Sequence, residues 1–133
     1  MTAIHITQPA LTLRAGQRAL EHIRSHGLQP ADVHLIPGAA GGPKALGIQG
    51  LDMAIFGDWL PRAPQPRSLI GASIGSWRFA SVCLPDPVEG LRRLGELYTA
   101  QRFPKGIKVA EISRRCGRML DELLDGHDQS ILT

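Results

Sequence analysis

The sequence predicts an α/β fold, with a partial parallel sheet built around one βαβ unit and a helical C-terminal half. Two short apolar runs, residues 33–37 and 68–72, have the length and composition of buried parallel strands. Between them, residues 43–60 are apolar nearly all round and long enough for a helix. Strand, helix and strand in this order predict a parallel pair joined by a crossover.

Helical periodicity and chain-breaking residues predict the remaining elements. The predicted helices span residues 11–26, 43–60, 76–83, 87–102 and 108–124. The inward positions predicted for the last two are Val88, Leu91, Leu94 and Tyr98, and Val109, Ile112, Cys116, Met119, Leu120 and Leu123. Gly27 ends the first helix, the prolines of residues 61–66 end the second, and Pro85 separates the third from the fourth. Residues 3–7 predict a further strand, but their alternation is weak.

The central helix is expected to be buried on most sides because apolar residues surround it. Gly47 and Gly50 would weaken it unless something packs closely there, so we expect them to press against the sheet beside the second strand. Its two carboxylates, Asp52 and Asp58, are expected at the surface.

A Gly-x-Ser-x-Gly motif follows the second strand. Residues 71–75 read Gly-Ala-Ser-Ile-Gly and stand directly before a predicted helix. In a strand, sharp turn and helix, such a serine projects from a strained backbone as a nucleophile, and larger side chains in place of the glycines would collide with the neighbouring elements. The motif makes Ser73 a candidate nucleophile. An ordinary glycine-rich βα turn explains the spacing equally well.

A glycine-rich turn also follows the first strand. Residues 38–44 read Gly-Ala-Ala-Gly-Gly-Pro-Lys. Glycines let neighbouring backbone N–H groups point into one space, and a helix N-terminus attracts negative charge. That charge could be a phosphate or the oxyanion of a tetrahedral intermediate. The phosphate motifs do not fit, because Ala45 follows Lys44 where a Walker loop has Ser or Thr, and the turn has no Gly-x-Gly.

Together the two turns resemble the patatin-like phospholipase family. That family has a Gly-Gly-Gly-x-Arg/Lys-Gly oxyanion loop, then a long helix, then a Gly-x-Ser-x-Gly elbow. Residues 40–45 align with the first motif, where Ala40 and Ala45 replace glycines and Lys44 stands at the basic position. Residues 71–75 align with the second motif.

The resemblance implies a serine acyl hydrolase that acts on lipid or other carboxylic esters through a Ser-Asp dyad, with no cofactor and no metal ion. The implied site residues are the nucleophile Ser73, the oxyanion-hole residues Gly41, Gly42 and Ile74, and the motif residues Gly71, Gly75 and Lys44. Lys44 would fix the loop or favour an anionic head group.

The dyad aspartate of the family lies in a downstream Asp-Gly-Gly/Ala motif. The triplet offered here is Asp125-Gly126-His127, which differs at its third position. Asp125 is the candidate base, although a helix C-terminus with Gly126 in the left-handed conformation is the stronger interpretation. The length of 133 residues predicts a single domain. The departure of the aspartate motif and the scarcity of strands predict that residues 1–133 are the N-terminal part of a longer catalytic domain.

Three other interpretations stay open. Asp121, Asp125 and His127 follow the order of an α/β-hydrolase triad, but they crowd one helix end. The chain could instead be a catalytically incomplete hydrolase-like module that binds an acyl ligand or a protein partner without turnover. A nucleotide-binding βαβ protein that uses the glycine-rich turn is the third.

Composition argues against several classes. A net charge of +3 is too small to indicate nucleic-acid binding. No run is long enough to span a bilayer, and residues 1–10 are too polar for a signal peptide. Cys83 and Cys116 occupy apolar helical positions without metal-ligand spacing, so we expect reduced thiols and a cytoplasmic protein.

Basic residues cluster after the fourth predicted helix, opposed within that stretch only by Glu111. They are Arg102, Lys105, Lys108, Arg114, Arg115 and Arg118. One interpretation is a solvated helix face with the pairs Glu111–Arg115 and Arg118–Glu122. The other is peripheral contact with an anionic membrane surface. The sequence favours the first, because no exposed aromatic residue is expected beside the basic ones.

Overall fold

The computed structural model describes residues 11–132. The helices and strands in this range are α1 (Gln17–His26), β1 (Leu35–Gly38), α2 (Gln49–Ala54), β2 (Ser68–Gly71), α3 (Ile74–Val82), α4 (Pro87–Ala100), α5 (Val109–Leu124) and α6 (Asp128–Leu132). The predicted α/β fold, with a βαβ unit and a helical C-terminal half, is confirmed. The strand predicted at residues 3–7 lies outside the described residues. No helix in the described range is both long and apolar enough to cross a bilayer.

The two strands pair in parallel, with Leu35 opposite Ser68 and Gly38 opposite Gly71. Their carboxyl ends therefore meet at one edge of the sheet. Helix α3 covers one face, where the Phe79 ring lies so close to Gly38 that a Cβ there would be 2.7 Å from Cε2. On the opposite face Leu35 is 53% exposed and Ile70 is 62% exposed. The described residues thus cover only one side of the sheet.

The segment predicted as one buried helix is a series of short helical pieces. A 3-10 stretch (Gly42–Ile48) leads into α2, and a π-helical stretch (Ile55–Trp59) and a short 3-10 turn (Leu60–Arg62) follow. Ile48 is 41% exposed and Leu51 is 37% exposed. The expectation of burial on most sides was wrong, because the segment packs on α3 and α4 and leaves its other side open.

The glycines that allow close packing of this segment are not those predicted. A Cβ at Gly47 or Gly50 would meet no atom within 4 Å, so neither presses against the sheet. A Cβ at Gly57 would instead overlap the Val88 side chain, and one at Gly95 would lie 3.0 Å from the Gln49 side-chain amide carbon. The segment between the two strands therefore approaches α4 closely, and not the sheet.

The core lies between α3, α4, α5 and the segment before β2. Its buried apolar residues include Leu60, Ile74, Phe79, Leu84, Leu91, Leu94, Met119 and Leu123. The inward positions predicted for α4 and α5 are confirmed at their centres. They were wrong in the first turns, where Val88 is 39% exposed and Val109 is 78% exposed. Cys83, expected on an apolar face, is exposed where α3 ends.

A buried ion pair joins α2 to α3. Arg78 donates from Nε to Asp52 Oδ2 at 2.7 Å and from Nη2 to Oδ1 at 2.6 Å. The two side chains are only 13% and 6% exposed. The expectation that Asp52 lies at the surface was wrong, whereas Asp58 is exposed and pairs with Arg62. Both carboxylate oxygens of Asp52 are satisfied, so the pair fixes the orientation of α2 on α3.

We expect Asp52→Ala to lower the free energy of unfolding by about 3 kcal/mol or more, because it leaves the Arg78 guanidinium buried without a counter-charge. The matched control is Asp58→Ala, which removes an exposed pair and should cost less than about 1 kcal/mol. Urea unfolding followed by circular dichroism measures both. Equal losses in the two variants would contradict a structural role for the buried pair.

Candidate active site

Ser73 forms a sharp turn between β2 and α3. Its backbone has φ 54° and ψ −123°, a combination that costs a non-glycine residue on the order of 1–3 kcal/mol. The turn is held by hydrogen bonds from the Gly75 amide to the Ala72 carbonyl and from the Ser76 amide to the Ser73 carbonyl, each 2.9 Å. Ser73 itself is exposed. The strand, turn and helix that the motif requires are therefore present.

The two motif glycines have no room for side chains. A Cβ at Gly75 would overlap the carbonyl oxygen of Gly38 and lie 2.6 Å from its carbonyl carbon. A Cβ at Gly71 would lie 2.5 Å from the Cα of Ser76. Each obstacle is backbone, which cannot rotate away as a side-chain tip can. We call residues 71–75 the elbow.

The glycine-rich loop, residues 38–44, begins directly beside the elbow. The Ala72 amide donates to the Gly38 carbonyl at 2.9 Å, and Gly75 packs on Gly38 and Ala39. Gly42 has φ +53°, a left-handed conformation that favours glycine. Since both turns follow the carboxyl ends of parallel strands, the loop and Ser73 occupy the same edge of the sheet.

The elbow also supplies a helix N-terminus. Ile74 is the first residue of α3, so its amide has no acceptor within the helix. Ile74 is only 4% exposed, and its side chain anchors the start of the helix in the core. The amide one residue after a nucleophilic serine is one of the oxyanion donors in elbow-type sites.

Tyr98 is a neighbour of the loop that sequence reasoning did not assign to the site. Its hydroxyl lies 3.8 Å from the position that a Cβ on Gly42 would take. Helical periodicity predicted Tyr98 only as an inward residue of α4, and it is half-buried. No signal in the sequence links a helix residue to a loop more than fifty positions earlier. Lys44 is exposed in the same loop.

Asp125 is not brought to Ser73. It is exposed, pairs with Arg93 at 3.3 Å, and borders a cavity together with Leu84 and Pro85, which follow the C-terminal end of α3. Ser73 precedes the N-terminal end of the same helix, which at nine residues is about 13 Å long. Asp125, the predicted base for Ser73, therefore lies near the opposite end of α3 from the serine.

The alternative interpretation of the Asp-Gly pair matches the geometry. Asp125 caps α5 in the left-handed conformation, with φ 48° and ψ 45°, and Gly126 has φ +80°. His127 borders the same cavity as Asp125. The Asp-then-His order of a hydrolase triad therefore also falls at the end of α3 that is remote from Ser73.

No carboxylate in the described residues is hydrogen-bonded to the Ser73 hydroxyl. Asp52 lies beside Ile74 in the packed interior, but Arg78 occupies both of its oxygens. Nor do residues 11–132 contain a group of three or more His, Cys, Asp or Glu residues that could hold a metal ion. The described site consists of a serine, two glycine-bearing turns and a helix N-terminus.

Comparison with known proteins gives no assignment. No protein-family model, no curated protein and no solved structure matches the chain. The functional argument therefore depends on the geometry of its own residues.

We expect Gly75→Ala to lower the free energy of unfolding by about 2 kcal/mol or more, because the added methyl group meets rigid backbone at Gly38. Gly50→Ala is the matched control, since its Cβ meets nothing and a helical alanine gains about 0.5–1 kcal/mol over glycine. Thermal unfolding measures both. Similar melting temperatures for the two variants would contradict the tight contact between elbow and strand.

Proposed function

We propose that the chain carries the nucleophile and oxyanion hole of a serine acyl hydrolase. The observation that carries the proposal is the backbone of Ser73, which holds a positive φ between two glycines pressed against strand and helix. An ordinary βα turn has no need for this strain. Strain of this kind in an exposed serine, beside a glycine-rich loop at the same sheet edge, supports a nucleophilic role.

The proposed reaction is an acyl transfer through a covalent intermediate. The Ser73 hydroxyl oxygen attacks the ester carbonyl, and the resulting oxyanion accepts hydrogen bonds from the amides of Gly41, Gly42 and Ile74. Collapse of the tetrahedral intermediate expels the alcohol and leaves an acyl-serine, which water then cleaves. The serine proton passes to a carboxylate. Asp125 lies near the opposite end of α3 and is not proposed as that acceptor.

The substrate class follows from the resemblance to patatin-like phospholipases. It implies a lipid or another carboxylic ester, bound with its carbonyl over the elbow and without a cofactor. Lys44 is exposed in the glycine-rich loop, where its ammonium group suits an anionic head group beside the reacting ester.

A second candidate function is a module that binds an acyl ligand or a protein partner without catalytic turnover. The distance of Asp125 from Ser73 favours it, because a serine without a base is a poor nucleophile. The two candidates share the elbow and the oxyanion donors and differ in whether a proton acceptor reaches Ser73.

A fluorophosphonate probe tests the nucleophile directly. We expect stoichiometric labelling of Ser73 and complete loss of labelling in Ser73→Ala. Intact-protein mass spectrometry measures the labelling in both chains. Ser76→Ala is the matched control, because Ser76 is also exposed and lies one helical turn away. It should be labelled like the native chain.

Hydrolysis of a short p-nitrophenyl ester then separates the two candidates. Labelling accompanied by ester turnover supports the hydrolase. Labelling without turnover supports the module that binds but does not turn over. A folded chain that resists the probe at Ser73 removes the proposed nucleophile.

Gly42→Ala tests the oxyanion loop. An L-residue at a φ of +53° is strained, so the loop should shift and move its amides away from the oxyanion. We expect the labelling rate to fall about tenfold or more, given that loss of one oxyanion donor costs about a hundredfold or more. Gly47→Ala, in the same segment but without contacts, should label at the native rate. Native-rate labelling of both variants would argue against the loop as oxyanion hole.

A further inference from the structure

The connection between α4 and α5, residues 101–108, emerges at the same sheet edge as Ser73. Helix α3 runs away from that edge, and α4 begins beside its far end, where a Cβ on Gly90 would lie 3.1 Å from the carbonyl carbon of Ser81. Helix α4 then returns, since Tyr98 in its last turn reaches Gly42. We call residues 101–108 the basic loop.

The basic loop exposes apolar and cationic side chains together. Phe103 is 47% exposed, and Val109, directly after the loop, is 78% exposed. Lys105 and Lys108 are exposed between them. The sequence had favoured a simple solvated face because no exposed aromatic residue was expected there. That expectation was wrong, since the α4–α5 connection leaves Phe103 outside the core.

The cations of the loop have no carboxylate partners among the described residues. Arg102 donates to the backbone carbonyls of Thr99 at 2.7 Å and Gln101 at 3.0 Å. Lys105 and Lys108 form no ion pair within residues 11–132. The positive charge of the loop is therefore available to an external anion.

The first turns of α5 behave differently. Glu111 accepts hydrogen bonds from Arg115 at 2.9 Å and from Arg114 at 2.8 Å, which lower the pKa of its carboxyl to about 2. The predicted pair Glu111–Arg115 is thus confirmed. Arg118, predicted to pair with Glu122, instead lies 3.8 Å from Glu111. Glu111 stays ionised at neutral pH and partly offsets these arginines. One carboxylate cannot neutralise three guanidinium groups, so positive charge remains on the first turns of α5 as well as in the loop.

An open cavity lies behind the loop. Its volume is about 280 Å³ and its lining includes Arg102, Arg115, Arg118 and Glu122. Three arginines lining one opening suit a phosphate-sized anion, although Glu122 opposes them.

We propose that the basic loop docks the Ser73 edge of the protein onto an anionic phospholipid surface. Phe103 and Val109 enter the boundary between head groups and acyl chains, while Arg102, Lys105 and Lys108 contact the head groups. This inference deepens the proposed function, on which it rests, because it brings the elbow to the surface where a lipid ester lies. The exposed apolar side chains favour a membrane over a nucleic acid duplex, whose phosphates are contacted through the charges alone.

Sedimentation with phosphatidylcholine vesicles, with and without phosphatidylserine, tests the docking. We expect binding only to the anionic vesicles, and a loss of about fivefold in affinity for each lysine removed, hence about 25-fold for Lys105→Ala with Lys108→Ala. Phe103→Ala should cost about tenfold, and Phe103→Trp should restore binding. Raising the salt concentration should weaken binding of the native chain.

A control variant separates the loop from net charge. The double variant Arg18→Ala with Arg24→Ala removes the same charge from α1. Helix α1 lies at the opposite edge of the sheet, because its His22 is 3.1 Å from Asp32, which precedes the amino end of β1. This variant should bind like the native chain. Equal losses in both double variants would overturn the docking proposal. So would equal binding to neutral vesicles, or tight binding of a DNA duplex that is insensitive to Phe103→Ala.

The docking and the chemistry can fail separately. The Ser73→Ala chain should bind anionic vesicles like the native chain, and the loop variants should react with the soluble fluorophosphonate at the native rate. Vesicle binding without labelling would remove the hydrolase proposal and leave the docking. Labelling without vesicle binding would remove the docking proposal and leave the hydrolase proposal.

Discussion

The contact between Gly75 and the backbone of Gly38 is the constraint on which the candidate site depends. It is a backbone-to-backbone contact, and a single methyl group on position 75 would overlap the Gly38 carbonyl oxygen. Because Gly38 ends β1 and Gly75 lies in the first turn of α3, the contact joins the two βα turns of the crossover unit. The strained turn at Ser73 and the start of the glycine-rich loop are held together by it.

Helix packing supports this contact from the other side. Arg78 on α3 reaches Asp52 on α2 with two hydrogen bonds in a nearly buried position, and Ile74 anchors the first turn of α3 in the core. A displacement of α3 would leave the ion pair unsatisfied in a medium of low dielectric, which is costly. The orientation of the elbow helix is thus fixed by an electrostatic interaction as well as by packing.

Helices α3, α4 and α5 run in alternating directions between the edge of the sheet where Ser73 lies and the opposite end of the molecule. Helix α3 leaves the edge where Ser73 lies, α4 returns to it, and α5 leaves again. The basic loop consequently lies at the Ser73 edge, and the Asp125–Gly126 cap lies at the other. The same topology that separates Asp125 from Ser73 also brings exposed Phe103 and its cationic neighbours to the end that carries the proposed chemistry.

The sequence by itself determined the βαβ unit, the helical C-terminal half and the two glycine-bearing turns. These are local properties, because a period of apolar residues or a run of glycines acts within a few positions of the chain. It did not determine which glycines pack closely, that Asp52 is buried, or that Phe103 is exposed. Those outcomes depend on which helix lies opposite each residue, for example on Arg78 facing Asp52 from 26 positions away. Only the tertiary structure decided them, since the energy of a buried charge or an exposed ring is set by neighbours that are distant in the chain.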